Sequence, residues 1–74
     1  MAEIILDVKG LKCPLPVLKL KKAIKALAEG DVIELHATDA LSVIDVPAYC
    51  NESGNRLLSV TGEGSVHIFR IERA

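Results

Sequence analysis

The chain has 74 residues, of which 50% are hydrophobic and 26% are charged, and Tyr49 and Phe69 are its only aromatic residues. These proportions are typical of one small globular domain with an aliphatic core, and they exclude a disordered chain. The formal net charge of −1 argues against a general nucleic-acid binder, because affinity for phosphate needs a basic excess. No apolar run approaches the roughly 20 residues of a membrane span, and the first residues lack a signal-peptide pattern. We therefore expect a cytoplasmic protein.

Charge is distributed unevenly along the chain. Residues 9–25 contain six lysines and no acid, whereas residues 29–63 contain seven acids and a single base, Arg56. A lysine run of this kind most often forms a solvated helix face. The alternative is a positive surface around a reactive residue in the same stretch, and Cys13 is the candidate.

The first half of the chain predicts a strand, a helix and a second strand. Residues 3–8 are aliphatic and predict a buried first strand. In residues 14–28, apolar side chains recur every three or four positions, which predicts an amphipathic helix, and Gly30 is suited to a left-handed cap at its end. Residues 32–37 alternate and predict a strand with one polar face. A helical connection favours parallel pairing of these two strands. The apolar helix positions are Val17, Leu20, Ile24 and Leu27.

The second half begins with turn residues and a proline. Pro47 would break a helix that began at Asp39 or Ser42, but it fits the first turn of a helix capped by Asp45. A second helix is therefore predicted at residues 46–53, with Gly54 closing it.

Two further strands complete the predicted fold. Residues 57–61 and 66–71 predict an antiparallel hairpin connected through residues 62–65. The element order is βαβαββ, and both helices should cover one face of a four-stranded mixed sheet. This is a two-layer α/β (α+β) sandwich, with residues 1–74 as one domain.

The two cysteines differ in their surroundings. Pro14 disfavours the helical conformation at Cys13, which makes Cys13 the N-cap residue or its neighbour. The positive end of the helix dipole, together with Lys9 and Lys12, predicts a lowered pKa for this thiol. The shift should be modest, because Pro14 and Pro16 remove two N–H donors. Cys50 has no basic neighbour and is interpreted as a packing residue, with a resolving thiol as the minor alternative.

Other thiol and metal chemistries fit the sequence less well. A thioredoxin-type pair needs C-x-x-C, and Pro16 occupies the second cysteine position. Zinc is disfavoured because Cys13, His36, Cys50 and His67 show no paired ligand spacing, so we expect no metal and no cofactor. A Cys–His pair is weakened because both histidines fall on predicted strands.

The segment GLKCPLP at residues 10–16 resembles the C-P-x-P motif of the TusA/SirA-like sulfur-carrier family. A second segment also fits, with Thr38-Asp39, then DVPAYC at residues 45–50, then Gly54. The similarity spans residues 5–72. It implies the same βαβαββ fold and a sulfurtransferase-like carrier in which Cys13 accepts a sulfane sulfur as a persulfide and passes it to a partner protein.

The resemblance also implies partners and supporting residues. The sulfur donor would be a cysteine desulfurase or a rhodanese-like protein, and a downstream acceptor protein would receive the sulfur. No membrane partner and no direct nucleic-acid binding are expected. Such a carrier needs an exposed sulfur that the fold holds in a fixed position, and a surface that partners can contact. Cys13 is the predicted catalytic residue, supported by the motif residues Gly10, Lys12, Pro14 and Pro16, and the predicted partner-binding residues are Leu11, Leu15, Lys19, Lys22 and Lys25.

Two alternatives stay open at this point. The first is an RNA-binding or regulatory interaction module that uses the basic first helix, since the βαβαββ sandwich also resembles the C-terminal domain of a bacterial translation initiation factor. The low net charge and the scarcity of stacking aromatics disfavour it. The second is a peroxide-sensing thiol resolved by Cys50, although no Thr or Arg flanks Cys13 to position a peroxide.

Overall fold

The computed structural model describes residues 2–74, which form six elements in the order βαβαββ. The sheet order is β1-β2-β4-β3, with β1 and β2 parallel and the other neighbours antiparallel. The predicted mixed sheet, parallel first pair and closing hairpin are confirmed. The elements are β1 (Glu3–Asp7), α1 (Leu15–Lys25), β2 (Val32–Ala37), α2 (Ser42–Ser53), β3 (Arg56–Glu63) and β4 (Val66–Glu72).

The core lies between the sheet and the two helices. On β2, Ile33, Leu35 and Ala37 are fully buried, whereas the intervening Glu34 and His36 are half-buried on the opposite face. This alternation follows from the period of two along a strand, and it leaves one face of the sheet without helices. The helices and the remaining elements contribute Val8, Leu20, Ile24, Val46, Cys50, Phe69 and Ile71 to the same aliphatic core.

Two expectations for the first half of the chain are wrong. The first strand is not buried, because β1 is an edge strand and Ile5 is 66% exposed. The helix ends at Lys25 rather than near Ala28. Ala26 caps it in a right-handed conformation, and N–H groups there bond to carbonyls three residues back, which tightens the last turn. Gly30 does adopt a positive φ of 89°, but in the turn beyond the helix.

The second helix also begins earlier than the sequence predicts. It starts at Ser42, and Pro47 lies inside it rather than in its first turn. The Ser42 hydroxyl donates a hydrogen bond to the Asp39 carbonyl at 2.6 Å, and the Asp45 N–H bonds to the Leu41 carbonyl at 2.9 Å. The first turn is therefore complete before the position where the missing N–H of Pro47 matters. Asp45 is a helical residue and not the N-cap.

The hairpin is longer than predicted, while the end of α2 is as expected. Gly54 closes α2 with a φ of 80°. Gly62 and Glu63 belong to β3 and pair with β4, so Gly64 and Ser65 alone form the turn. A two-residue turn needs a residue with positive φ, and Gly64 supplies it with a φ of 62°.

Candidate functional site

The site forms where β1 and β2 end. Parallel strands bring their carboxyl ends to one edge of the sheet, so the loops that follow them lie side by side. The Val8 N–H donates to the His36 carbonyl at 2.9 Å, which extends the strand pairing into the loops. The Gly10 N–H then donates to Thr38 Oγ1 at 2.9 Å. These contacts join the segment that contains Cys13 to the segment that precedes α2.

Cys13 occupies a fixed position at the start of α1. Pro14 is the N-cap residue, so Cys13 is the residue immediately before it, in agreement with the sequence prediction. The Cys13 N–H donates to Asp39 Oδ2 at 2.7 Å. The side chain of Cys13 is exposed, whereas Pro16 is buried in the first turn of the helix. The backbone of the cysteine is therefore held by a carboxylate from the neighbouring loop, and its sulfur faces solvent.

The thiol of Cys13 has a carboxylate partner that local sequence does not reveal. Its Sγ donates a hydrogen bond to Asp45 Oδ2 at 2.8 Å. This bond, and the negative charges of Asp45 and Asp39, raise the pKa of the Cys13 thiol. The predicted lowering of this pKa is wrong, because the prediction counted the helix dipole and the nearby lysines but not the two acids from the second segment.

The arrangement allows the Cys13 thiol to pass its proton to Asp45 when it reacts. Asp45 is an acceptor already in hydrogen-bond contact with the thiol proton, which is the geometry that a general base requires. A thiol with a raised pKa is less ionised at neutral pH, but its thiolate is the stronger nucleophile. Cys13 and Asp45 can therefore hold a protonated sulfur at rest and release the proton as the sulfur attacks.

Cys50 has a different environment. It is 3% exposed and belongs to the hydrophobic core, and burial raises the pKa of its thiol. The interpretation of Cys50 as a packing residue agrees with this position. Its sulfur is shielded from solvent, which disfavours reaction with a partner.

The predicted partner-binding residues are not equivalent in the structure. Lys12, Lys19, Lys22 and Lys25 are all exposed, and Leu15 is 45% exposed. Leu11 is half-buried and packs against the core, so it offers less surface to a partner. Sequence reasoning missed the exposed apolar side chains that begin α2. Among them, Leu41 is 51% exposed and Ile44 is 64% exposed.

Asp39 and Asp45 are the site residues that sequence reasoning did not assign to the site. Both lie in the segment after β2, and the predicted parallel pairing already implied that this segment adjoins the one after β1. That juxtaposition was the available signal.

Across residues 2–74, no helix is long and apolar enough to cross a membrane.

The fold and the site define a small two-layer α/β protein that presents a carboxylate-paired thiol at the start of its first helix. The family model described as sulfurtransferase TusA matches residues 4–73. The chain belongs to this family.

Individual relatives agree with that assignment. The sulfur carrier protein TusA of Allochromatium vinosum is 41% identical over 69 residues, which are 93% of this chain and 91% of that protein. YrkF of Bacillus subtilis is 45% identical over 65 residues, which are 88% of this chain, and the matched region is 35% of YrkF. The crystal structure of a SirA-like protein from Desulfitobacterium hafniense superposes with a TM-score of 0.83 at 25% identity, covering 93% of this chain and 95% of that one.

Proposed function

We propose that this protein is a sulfur carrier in which Cys13 accepts a sulfane sulfur as a persulfide and passes it to a partner protein. The observation that carries the proposal is the exposed Cys13 thiol, bonded to Asp45 Oδ2 at 2.8 Å while Asp39 holds the cysteine backbone. The family match and the name of the Allochromatium vinosum relative support the carrier role.

Sulfur transfer in this proposal is thiol exchange. Asp45 accepts the Cys13 proton as the sulfur attacks the terminal sulfur of a donor persulfide, and the donor leaves as a thiol after taking a proton. The same exchange then runs in the other direction, with an acceptor thiol attacking the outer sulfur on Cys13. Neither step needs a metal or an organic cofactor.

The donor and acceptor would contact the surface around Cys13. A cysteine desulfurase or a rhodanese-like protein is the proposed donor, and a downstream acceptor protein takes the sulfur. The exposed lysines of α1 (Lys19, Lys22 and Lys25) supply a positive surface, and the exposed Leu15 at the start of α1 supplies an apolar contact. Complementary charge of this kind mainly raises the rate of association.

The test is sulfur loading measured by intact mass. The reduced protein is incubated with a cysteine desulfurase and cysteine, and the expected result is a gain of one sulfur atom that maps to Cys13. Cys13→Ser should remove this gain and Cys50→Ala should retain it, so that two thiol deletions are compared in one fold. Loading that persists in Cys13→Ser contradicts the proposal. Tight RNA binding that falls steeply with salt and survives Cys13→Ser would instead favour the interaction module.

A further inference from the structure

The Cys13 thiol opens onto a cleft between α1 and α2. The cleft has a volume of about 240 Å³. This is below the roughly 300–1,000 Å³ of sites that take drug-sized ligands, which favours a small occupant. Its lining residues are Cys13, Pro14, Val17, Lys21, Asp45, Ala48, Tyr49 and Glu52.

The polar side chains of the cleft lie at its two ends. Cys13 and Asp45 lie at one end, beside the first turns of the two helices. Lys21 is the seventh residue of α1, and Glu52 follows Asp45 by two helical turns, a displacement of roughly 10 Å along α2. The walls between the two ends are the apolar side chains of Val17 and Ala48 and the Tyr49 ring. A thiol at one end is thus separated from a cation and an anion at the other.

Lys21 is held toward this cleft. Its Nζ lies 5.5 Å from the centroid of the Tyr49 ring, within the range of a cation–π contact. The Tyr49 hydroxyl in turn accepts a hydrogen bond from Asn55 Nδ2 at 3.4 Å. Within residues 2–74, no carboxylate forms an ion pair with Lys21. Glu52 forms no ion pair within those residues either, so the Lys21 ammonium and the Glu52 carboxylate remain available to a ligand.

The small volume and the charges of this cleft suit an amino-acid persulfide. Lys21 would bind the carboxylate and Glu52 the ammonium. With Asp45, the cleft side chains carry a net charge of −1, which disfavours a dianion such as thiosulfate.

We propose that this cleft binds a free zwitterionic persulfide, of which cysteine persulfide is the simplest, and loads Cys13 without a donor protein. This inference rests on the proposed function of Cys13. In the step, Asp45 takes the Cys13 proton and Sγ attacks the terminal sulfur of R–S–SH. The bond between the two ligand sulfurs breaks, and the leaving sulfur takes the proton from Asp45. Cys13–SH and R–S–SH become Cys13–S–SH and R–SH, with no external oxidant or reductant.

The experiment compares three free persulfides on the intact protein. Cysteine persulfide carries both charged groups, cysteamine persulfide lacks the carboxylate, and 3-mercaptopropionate persulfide lacks the ammonium. The measurement is the rate at which Cys13 gains one sulfur atom, expressed as the ratio of variant to wild type for each ligand. Thiosulfate serves as the dianionic comparator and should load Cys13 most slowly.

Replacing Lys21 and replacing Glu52 should lower the loading rates of different persulfides. Lys21→Met should slow loading by cysteine persulfide about tenfold and leave cysteamine persulfide unchanged. Glu52→Gln should slow cysteine persulfide similarly and leave 3-mercaptopropionate persulfide unchanged. The control variants Arg56→Met and Glu29→Gln make the same charge changes at a separate hollow beside Gly30 and should alter none of these rates.

The outcomes separate this inference from the proposed function. If Lys21→Met slows all three persulfides equally, or no more than Arg56→Met does, the ligand site is overturned. If a cysteine desulfurase loads Cys13 while the free persulfides show no dependence on Lys21 or Glu52, the carrier function stands and the cleft site falls. If no donor of any kind loads Cys13, both proposals fall.

Discussion

The thiol of Cys13 donates a hydrogen bond to the carboxylate of Asp45 at 2.8 Å, although 32 positions separate the two residues in the chain. The contact raises the pKa of the thiol and places a proton acceptor beside the sulfur. A carrier cysteine of this design is protonated at neutral pH and becomes a strong nucleophile when the proton moves to Asp45. The dependence of its reactivity on pH is therefore a direct test of the geometry.

Asp45→Asn should separate the acidity of Cys13 from its sulfur chemistry. Removing the carboxylate deletes the largest cause of the raised pKa, so the pH midpoint of Cys13 alkylation should move to lower pH. Sulfur acceptance should slow by about 100-fold, because the proton acceptor is lost. Alkylation and loading rates are measured from pH 6 to 10.

Asp7→Asn provides the matched control for this variant, because the Asp7 carboxylate pairs with Lys9 instead. An unchanged alkylation midpoint in Asp45→Asn would contradict the assigned contact. The raised pKa of Cys13 also makes the stability of the folded protein depend on pH. The folded protein holds the thiol proton more tightly than the unfolded chain, so this contribution is present at neutral pH and is lost as pH rises through the folded pKa.

The two cysteines should differ in their rates of alkylation in the folded protein. The hydrogen bond to Asp45 raises the pKa of Cys13 and burial raises the pKa of Cys50, so accessibility decides the order. Cys13 is exposed and Cys50 is buried, and we expect Cys13 to react at least about tenfold faster. Peptide mapping after a timed iodoacetamide pulse measures both rates. In denaturant the difference should disappear, and equal rates in the native state would disprove the prediction.

Reversing Lys19 and Lys22 to Glu should slow sulfur transfer from a loaded protein donor. Both side chains are exposed on α1, and exposed charges contribute only about 0.5 kcal/mol each to stability. The wild-type rate should fall as salt rises, because screening acts over about 8 Å at physiological ionic strength, and the variant should show a weaker salt dependence.

Lys9→Glu combined with Arg56→Glu makes the same change in net charge away from α1 and should retain most of the transfer rate. A wild-type rate that is independent of salt, together with an unaffected double reversal on α1, would show that the lysines only solvate the helix. The partner surface would then be sought at Leu15, Leu41 and Ile44.

Gly54→Ala should destabilise the fold by about 1 kcal/mol through backbone conformation alone. Gly54 has a φ of 80°, and an added Cβ would meet no atom within 4 Å, so steric overlap does not contribute. Gly62→Ala is the matched control, because its φ is not in the left-handed region and its Cβ would only contact the Val66 carbonyl oxygen at 3.6 Å. Urea denaturation of both variants compares them. A loss in Gly62→Ala as large as in Gly54→Ala would contradict the argument.

Most of the fold could be predicted because its elements carry strong local patterns. The alternation in β2 and the apolar stripe of α1 correctly predicted which side of each element faces the core. The errors lie where tertiary contacts override local rules. The hydrogen bonds at Ser42 allow α2 to begin ahead of Pro47, and the position of β1 at the sheet edge leaves Ile5 exposed.

Local sequence is enough to place Cys13 at or next to the N-cap of the first helix, because Pro14 restricts its backbone and the apolar period begins just after it. The acidity of that thiol depends instead on contacts between distant parts of the chain. Local sequence counts charges along the chain, whereas a pKa depends on the distance between charges in space. Parallel pairing of β1 and β2 brings Asp39 and Asp45 from 26 and 32 positions away to within hydrogen-bond distance of Cys13. These contacts raise the pKa of Cys13, although lysines surround it in the sequence.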